Sequence, residues 1–463
     1  MPDQYDVAIL GGGSGGYVAA IRAAQLGMRV AVVEEDKVGG TCLHRGCIPT
    51  KALLQSAALL DQVRHGGRFG VNASEVTYDH AAASRTKEDV VRRLHRGVEF
   101  LLRKNGVDTY AGRGRLEGAG QVAVSTGGEL AARHVVVATG SRPASLPGLD
   151  VDGRWVLTSD EALTLDHVPR SVVVLGAGAV GVEFASLYRS LGADVTIVEL
   201  LPGLVPLEDE DVGTELQRQF EARGIRCMTG TRLQPDTLER DEGGIAVTVV
   251  TGGGAEERLH AEVLLVAVGR RANVDGCGLE NAGVEVSRGV VKVDAGQRTT
   301  AGGVFAVGDV AGGFQLAHKA MHEGIVAVEA IAGRDPLPVL SRHVPRTTYC
   351  TPQIGSIGLG EREARDAGYD VRAGTFPFRG NARALIWDEP GGFCKVVADA
   401  ATDDVLGVHL VGHEVTELIS GPGLGMLLEA SPFEVSRAIA PHPTLSEVLG
   451  EAALAVSGEA IHL

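Results

Sequence analysis

Short apolar runs that stop at glycine set the pattern of this chain. Tyr5-Asp-Val-Ala-Ile-Leu-Gly11 reads as a buried strand, and the residues up to 26 continue as a helix. Residues 172–191 repeat that design. Each copy is followed by another strand-like run, 30–33 and 195–198, which ends at a carboxylate, Glu34 in the first and Glu199 in the second. Val135-Val-Val-Ala-Thr139-Gly140 and Leu264-Leu-Val-Ala-Val-Gly269 are further strands ending in glycine and mark crossings between domains. Val304-Phe-Ala-Val-Gly308-Asp309 is another, closing on a carboxylate. Beyond residue 340 the pattern changes to strand-like runs at 394–398 and 405–411 and helical segments at 415–430 and 445–456, which predicts a third, α+β domain. Gly252-Gly-Gly254 and Gly391-Gly392 punctuate loops or hairpins. Apolar runs such as 263–268 fall far short of the roughly 20 residues a membrane helix needs, and the N-terminus reads as a strand, not a secretory signal.

The repeated turns carry the first chemistry. Gly11, Gly13 and Gly16, and again Gly176, Gly178 and Gly181, satisfy G-x-G-x-x-G between a strand and a helix. Small residues there let the backbone approach a pyrophosphate lying at a helix N-terminus, and the acidic residue about 20 positions on binds a ribose diol. One such motif is weak; two complete copies predict two dinucleotide sites. The fold class expected is α/β, with two Rossmann-like dinucleotide-binding domains and a C-terminal α+β domain.

Bulk composition narrows the partners. The 463 residues, 44% of them hydrophobic, suffice for about three domains. Sixty-four glycines against 7 tyrosines and 2 tryptophans suit tight backbone approaches better than an aromatic recognition surface. A formal charge of −16, from 43 basic and 59 acidic side chains, disfavours nucleic acid and anionic membranes and matches a basic protein partner.

The most informative segment is Gly39-Gly-Thr41-Cys42-Leu-His-Arg-Gly-Cys47-Ile-Pro-Thr-Lys51. Two cysteines five positions apart precede a helix-like apolar run. A zinc site is disfavoured because no second pair matches them: Cys227, Cys277, Cys350 and Cys394 are scattered and read as small buried hydrophobes. A structural disulfide is disfavoured in a reducing compartment, whereas a redox-cycling one is allowed there.

This segment resembles the active-site disulfide motif of the flavoprotein disulfide reductases, and most closely that of the dihydrolipoyl dehydrogenases, along nearly the whole chain. The resemblance implies an FAD-binding part at 1–145, an NAD-binding domain at 146–271, a return to the FAD domain at 272–340, and a C-terminal dimerisation domain at 341–463. It implies that Glu34 holds the FAD adenosine ribose, that Asp309 meets the ribityl chain, and that Lys51 lies by the flavin paired with Glu183. Thr41, Thr139, Gly140, Gly269 and Gly308 join the cofactor-binding candidates. Gln315-Leu-Ala317-His318 resembles the family's helix start under the flavin, whose positive end favours the reduced ring.

Thiol-disulfide exchange proceeds through a thiolate, so oxidation of a neutral dithiol calls for a base near neutral pH. His442-Pro-Thr-Leu-Ser-Glu447 resembles the family's C-terminal motif, in which the glutamate orients the histidine and the histidine serves the disulfide of the other subunit. A homodimer is thereby implied. The implied reaction oxidises dihydrolipoamide through Cys42 and Cys47 and FAD to NAD+; Glu199, with no arginine in Leu200-Leu201-Pro202, favours NAD over NADP. A cytoplasmic enzyme is expected, with lipoamide carried by a partner: the lipoyl domain of an acyltransferase or of a glycine cleavage H protein. The competing readings are a glutathione reductase-like NADPH enzyme, a mercuric reductase, whose terminal cysteine pair is missing here, and a chiefly structural subunit of a multienzyme complex, which the set Cys42, Cys47 and His442 opposes.

Overall fold

In a computed structural model, residues 3–463 are described, and the chain divides into two compact units. The first combines the segment ending at Leu53 with Ala81–Ala144 and Arg270–Ser341; the second combines Leu54–His80, Ser145–Gly269 and Arg342–Leu463.

The first unit is built on a sheet whose parallel strands lie in the order Asp108–Ala111, Val30–Glu34, Asp3–Leu10, Glu129–Val137 and Val304–Ala306. Val7 to Leu10 and Val135 to Val137 are buried on both faces, which is why these strands read as continuous apolar runs and not as alternating ones. The early half of Glu129–Val137 also pairs antiparallel with Gln121–Val124, which pairs in turn with Gly114–Gly118. Helix Ser14–Gln25 packs against helix Ala317–Ile331 at close range: a side chain on Gly324 would lie 2.6 Å from the Gly15 carbonyl.

The second unit repeats the parallel arrangement with Arg226–Met228, Asp194–Val198, Ser171–Leu175, Val263–Val266 and Val156–Leu157. Two antiparallel sheets join it. Thr231–Asp241, Gly244–Thr251 and Glu256–Ala261 form a meander, whose last hairpin turns at the glycine cluster 252–254. Arg346–Thr348, Gln353–Gly358, Val405–Gly412, Phe393–Asp399 and Val371–Pro377 form the C-terminal sheet in that order.

The C-terminal helices differ from the sequence pattern. The stretch 415–430 is two short helices, Val415–Leu418 and Ser420–Leu427, because glycines 421, 423 and 425 and Pro422 crowd the second one and weaken a continuous ladder. The last helix, Glu447–Ala455, starts two residues later than the apolar pattern and packs on strand Val371–Pro377. Gly374 permits that packing: a Cβ there would collide with the Val456 nitrogen and the Ala452 carbonyl, both backbone. Among the described residues no helix is long and apolar enough to cross a membrane.

Since backbone cannot move aside as a side chain can, Gly374→Ala is expected to destabilise the protein by about 3 kcal/mol through overpacking. A fall in the urea midpoint checks this; an unchanged midpoint contradicts the packing described.

Candidate active site

The two glycine turns have the same construction. Gly11 and Gly176 hold φ of 102° and 101°, a region that favours glycine, and a Cβ on either would run into the carbonyl of Ala138 or Ala267, each just past the end of the neighbouring strand. Gly16 and Gly181, on the helices that follow, leave no room for a Cβ beside the carbonyls of Gly11 and Gly176. The middle glycines behave differently. Gly13 and Gly178 are the N-caps of Ser14–Gln25 and Ala179–Ser190, with no side chain capping the free N–H groups and open space around Gly178. Uncapped helix starts with small residues in front fit a pyrophosphate at each turn.

Both distal carboxylates face these turns. Glu34 accepts the Gly12 N–H at 2.7 Å and the Asp36 N–H at 2.9 Å. Glu199 accepts the Ala177 N–H at 2.7 Å and the Leu201 N–H at 2.8 Å. Each carboxylate is thus oriented by the backbone and retains lone pairs for a ribose diol.

The cysteine segment lies against the first turn. Gly39 donates to the Gly12 carbonyl at 2.8 Å, and Gly40, at φ 61°, packs so closely that a Cβ would stand 2.6 Å from the Gly13 Cα. Cys42 and Thr41 lie on the short helix Gly40–Arg45 and Cys47 begins the helix Cys47–His65, with Lys51 one turn on. The two side chains lie within reach of each other, and the Cys42 thiol hydrogen-bonds to Cys47. That bond, with burial, pushes the Cys42 thiol far above its ordinary range; the nearby Lys51 ammonium and the Ser14 hydroxyl pull the other way. The remaining four cysteines show no comparable pairing: Cys277, Cys350 and Cys394 are buried, and burial pushes the Cys227 thiol up to about 12. Among the described residues no cluster could hold a metal ion.

Asp309 follows Gly308 after strand Val304–Ala306 and accepts the Ser141 hydroxyl at 2.5 Å. Arg270 donates to that same hydroxyl at 2.7 Å. The turn is held from beneath by Glu323, which accepts the Gly308 N–H at 2.8 Å and pairs with the buried Lys319 at 2.7 Å. Ala317 and His318 open helix Ala317–Ile331, as the sequence predicts. Thr139 and Gly140 are tied to Asn273, whose carbonyl takes the Thr139 hydroxyl at 2.8 Å and whose N–H reaches the Gly140 carbonyl at 2.9 Å. Gly269 holds φ 112° in the turn after strand Val263–Val266.

In the second unit, Glu183 is 4% exposed on helix Ala179–Ser190 and accepts the Tyr349 N–H at 2.9 Å. His442 Nδ1 meets Glu447 Oε2 at 2.9 Å, and the Thr444 N–H donates to the other Glu447 oxygen. Burial opposes ionisation of Glu447, but those two partners outweigh it and hold the carboxyl below its usual range. The other side of the imidazole is free to face outward, the side chain being 73% exposed.

The family model for pyridine nucleotide-disulphide oxidoreductases matches residues 5–324, and the model of that family's dimerisation domain matches 344–453. The chain belongs to the pyridine nucleotide-disulphide oxidoreductases. Dihydrolipoyl dehydrogenases of Bacillus subtilis and Rhizobium etli are 45% and 42% identical to it, with all of each chain covered. Among solved structures, LpdA from Mycobacterium tuberculosis matches with a TM-score of 0.89 and 29% identity over 97% of this chain and 99% of that one. The HOCl-induced flavoprotein disulfide reductase RclA from Escherichia coli matches at 0.86 and 26% identity, with the same coverage. The α/β fold class, the oxidoreductase class and the cofactor pair FAD and NAD read from the sequence are those of this family.

Sequence reasoning did not single out the supporting residues of this oxidoreductase: Ser14, Ser141, Arg270, Asn273, Lys319 and Glu323. Ser14 alone left a signal, since it is the one polar residue inside either glycine motif and its counterpart in the second is Ala179.

With two independent turns, Gly16→Ala and Gly181→Ala are each expected to abolish binding of one dinucleotide and spare the other. Flavin content and nicotinamide titration of the purified variants check this. Retention of both nucleotides by either variant contradicts the closed geometry of that turn.

Proposed function

We propose that this oxidoreductase is a dihydrolipoyl dehydrogenase in which Cys42 and Cys47 form the redox disulfide. The observation that carries the reading is the hydrogen-bonded pair Cys42 and Cys47 seated on the first glycine turn through Gly40 and Gly13. In this reading 1–145 and 272–340 bind FAD, 146–271 binds NAD, and 341–463 forms the dimer.

The chain's own groups would act as follows. Gly11, Gly13 and Gly16 with Glu34 hold FAD, and Thr41, Thr139, Gly140, Gly308, Asp309, Ala317 and His318 complete that site. Gly176, Gly178, Gly181, Glu199 and Gly269 hold the nicotinamide nucleotide, and the Glu199 carboxylate repels a 2′-phosphate. A dihydrolipoamide thiolate attacks Cys42 of the disulfide and releases Cys47 as a thiolate; the second substrate sulfur then closes lipoamide and frees Cys42. His442, its tautomer fixed by Glu447, takes the proton of the attacking thiol. Bound FAD supplies the link that turns the dithiol's electron pair into a hydride for NAD+. Lys51, whose charge favours the Cys42 thiolate, and Glu183 would tune that transfer.

His442 serves the disulfide of a second copy in a homodimer. Its exposed outer face, and apolar neighbours such as Ile439 at 99% exposure and the exposed Phe433, suit a surface covered by another chain. The lipoyl group arrives on the lipoyl domain of an acyltransferase or on a glycine cleavage H protein, in the cytoplasm.

Purified protein is expected to reduce NAD+ with dihydrolipoamide robustly, and NADP+ poorly. Turnover of glutathione disulfide with NADPH in place of that reaction would overturn the substrate and coenzyme assignment. His442→Gln is expected to keep its flavin and lose about a hundredfold or more in dihydrolipoamide oxidation; near-normal turnover would remove His442 from the mechanism.

A further inference from the structure

The second glycine turn is tied to a loop whose far end enters a buried set of charges. After Glu199 the chain runs through residues 200–208 to helix Glu210–Ala222. Midway, Val205 adopts φ 45° and donates its N–H to the Ala177 carbonyl at 2.9 Å, while the Ala177 N–H goes to Glu199 at 2.7 Å. A β-branched residue in the left-handed region is held there only when its surroundings require it. The Glu208 N–H then closes a turn onto the Val205 carbonyl at 2.9 Å.

Across the C-terminal sheet, the register aligns Arg346 with Ser356, Ser356 with His409, and His409 with Lys395. Side chains opposite one another on paired strands project from the same face, so one buried polar row crosses four strands. Lys395 is 3% exposed. Its Nζ donates to Asp209 Oδ1 at 3.1 Å, Asp211 Oδ2 at 2.7 Å and Glu361 Oε2 at 2.8 Å. Arg346 lies within 3.3 Å of Glu208, and the second Asp209 oxygen takes the Glu361 N–H at 2.8 Å. Burial disfavours the Lys395 ammonium, and its carboxylates more than reverse this. Apolar residues would serve packing alone as well as such a row does or better, so the charges call for another account. Glu208 and Asp209 are the loop residues these cations grip, three and four positions beyond Val205.

We propose that Lys395 and Arg346 are positioning residues for the second dinucleotide site, fixing the loop 200–208 and through Val205 and Ala177 the placement of Glu199 and the turn at Gly176. The inference rests on the assignment of that turn to NAD. Loss of either cation loosens nucleotide binding and leaves the cysteine chemistry of the other unit untouched.

The test compares holoenzyme with Lys395→Met, Lys395→Arg and Glu208→Gln, measuring KM for NAD+, kcat, and the rate at which dihydrolipoamide alone reduces the flavin. Lys395→Met and Glu208→Gln are expected to raise KM for NAD+ about tenfold with kcat and flavin reduction near wild type, the signature of lost ground-state binding, and Lys395→Arg to recover most of it. An unchanged KM, or a fall in flavin reduction matching any change in KM, overturns the positioning role. If Lys395→Met does not accumulate as folded protein, Glu208→Gln, conservative in size, decides between the same outcomes. Wild-type protein in parallel separates the two claims: no turnover with NAD+ there overturns the functional reading itself, whereas normal wild-type turnover with equal KM in the variants overturns only the positioning role.

Discussion

The contact between Gly40 and Gly13 is the constraint on which the rest of the site depends. With 2.6 Å between a Cβ on Gly40 and the Gly13 Cα, no residue but glycine lets the cysteine segment sit on the first nucleotide turn. That contact brings a thiol pair, an uncapped helix start and the Ser14 hydroxyl together within one unit. A dinucleotide bound at the turn is therefore placed by the same backbone atoms that place the cysteines, and thiol chemistry and cofactor chemistry share one frame. Preorganisation of this kind matters because redox partners held in fixed register do not have to find each other in each turnover.

The two halves show how one motif is specialised by its neighbours. Both turns close on a carbonyl just past the end of a strand, both leave a helix start uncapped, and both are faced by a backbone-bound carboxylate. What differs is what stands beside them. The first has Ser14 and a redox-capable cysteine pair; the second has Ala179, the buried Glu183 and a loop anchored by a charged row. The duplication thus supplies two similar frames, distinguished by residues on the turns' own helices and by segments that pack beside them.

Local patterns in the sequence reached far in this protein, for a physical reason. Val7 to Leu10 and Val172 to Leu175 are buried on both faces, so each reads as a continuous apolar run, and the glycines after them are fixed by close backbone approach. Cys42 and Cys47 are close in sequence and in space, and His442 and Glu447 likewise. What escaped depends on distant pairing. Ser141, Arg270 and Asp309 meet only because strands Ser141–Pro143 and Arg270–Ala272 pair across more than a hundred residues of chain. Each of four strands gives one residue to the row from Arg346 to Lys395, and only register reveals it as one feature. The break at Ile419 falls inside a stretch whose apolar spacing suits one helix, while Pro422 and the adjacent glycines carry its cause.

A cysteine pair and a flavin held in one frame at the first turn would exchange electrons without rearrangement. Anaerobic titration of the oxidised holoenzyme with dihydrolipoamide, without NAD+, addresses it most directly. The first two electrons are expected to open the disulfide and give a long-wavelength thiolate-to-flavin absorbance while most of the flavin colour persists. Direct bleaching of the flavin with no such band, and with Cys42 and Cys47 still joined, would contradict it.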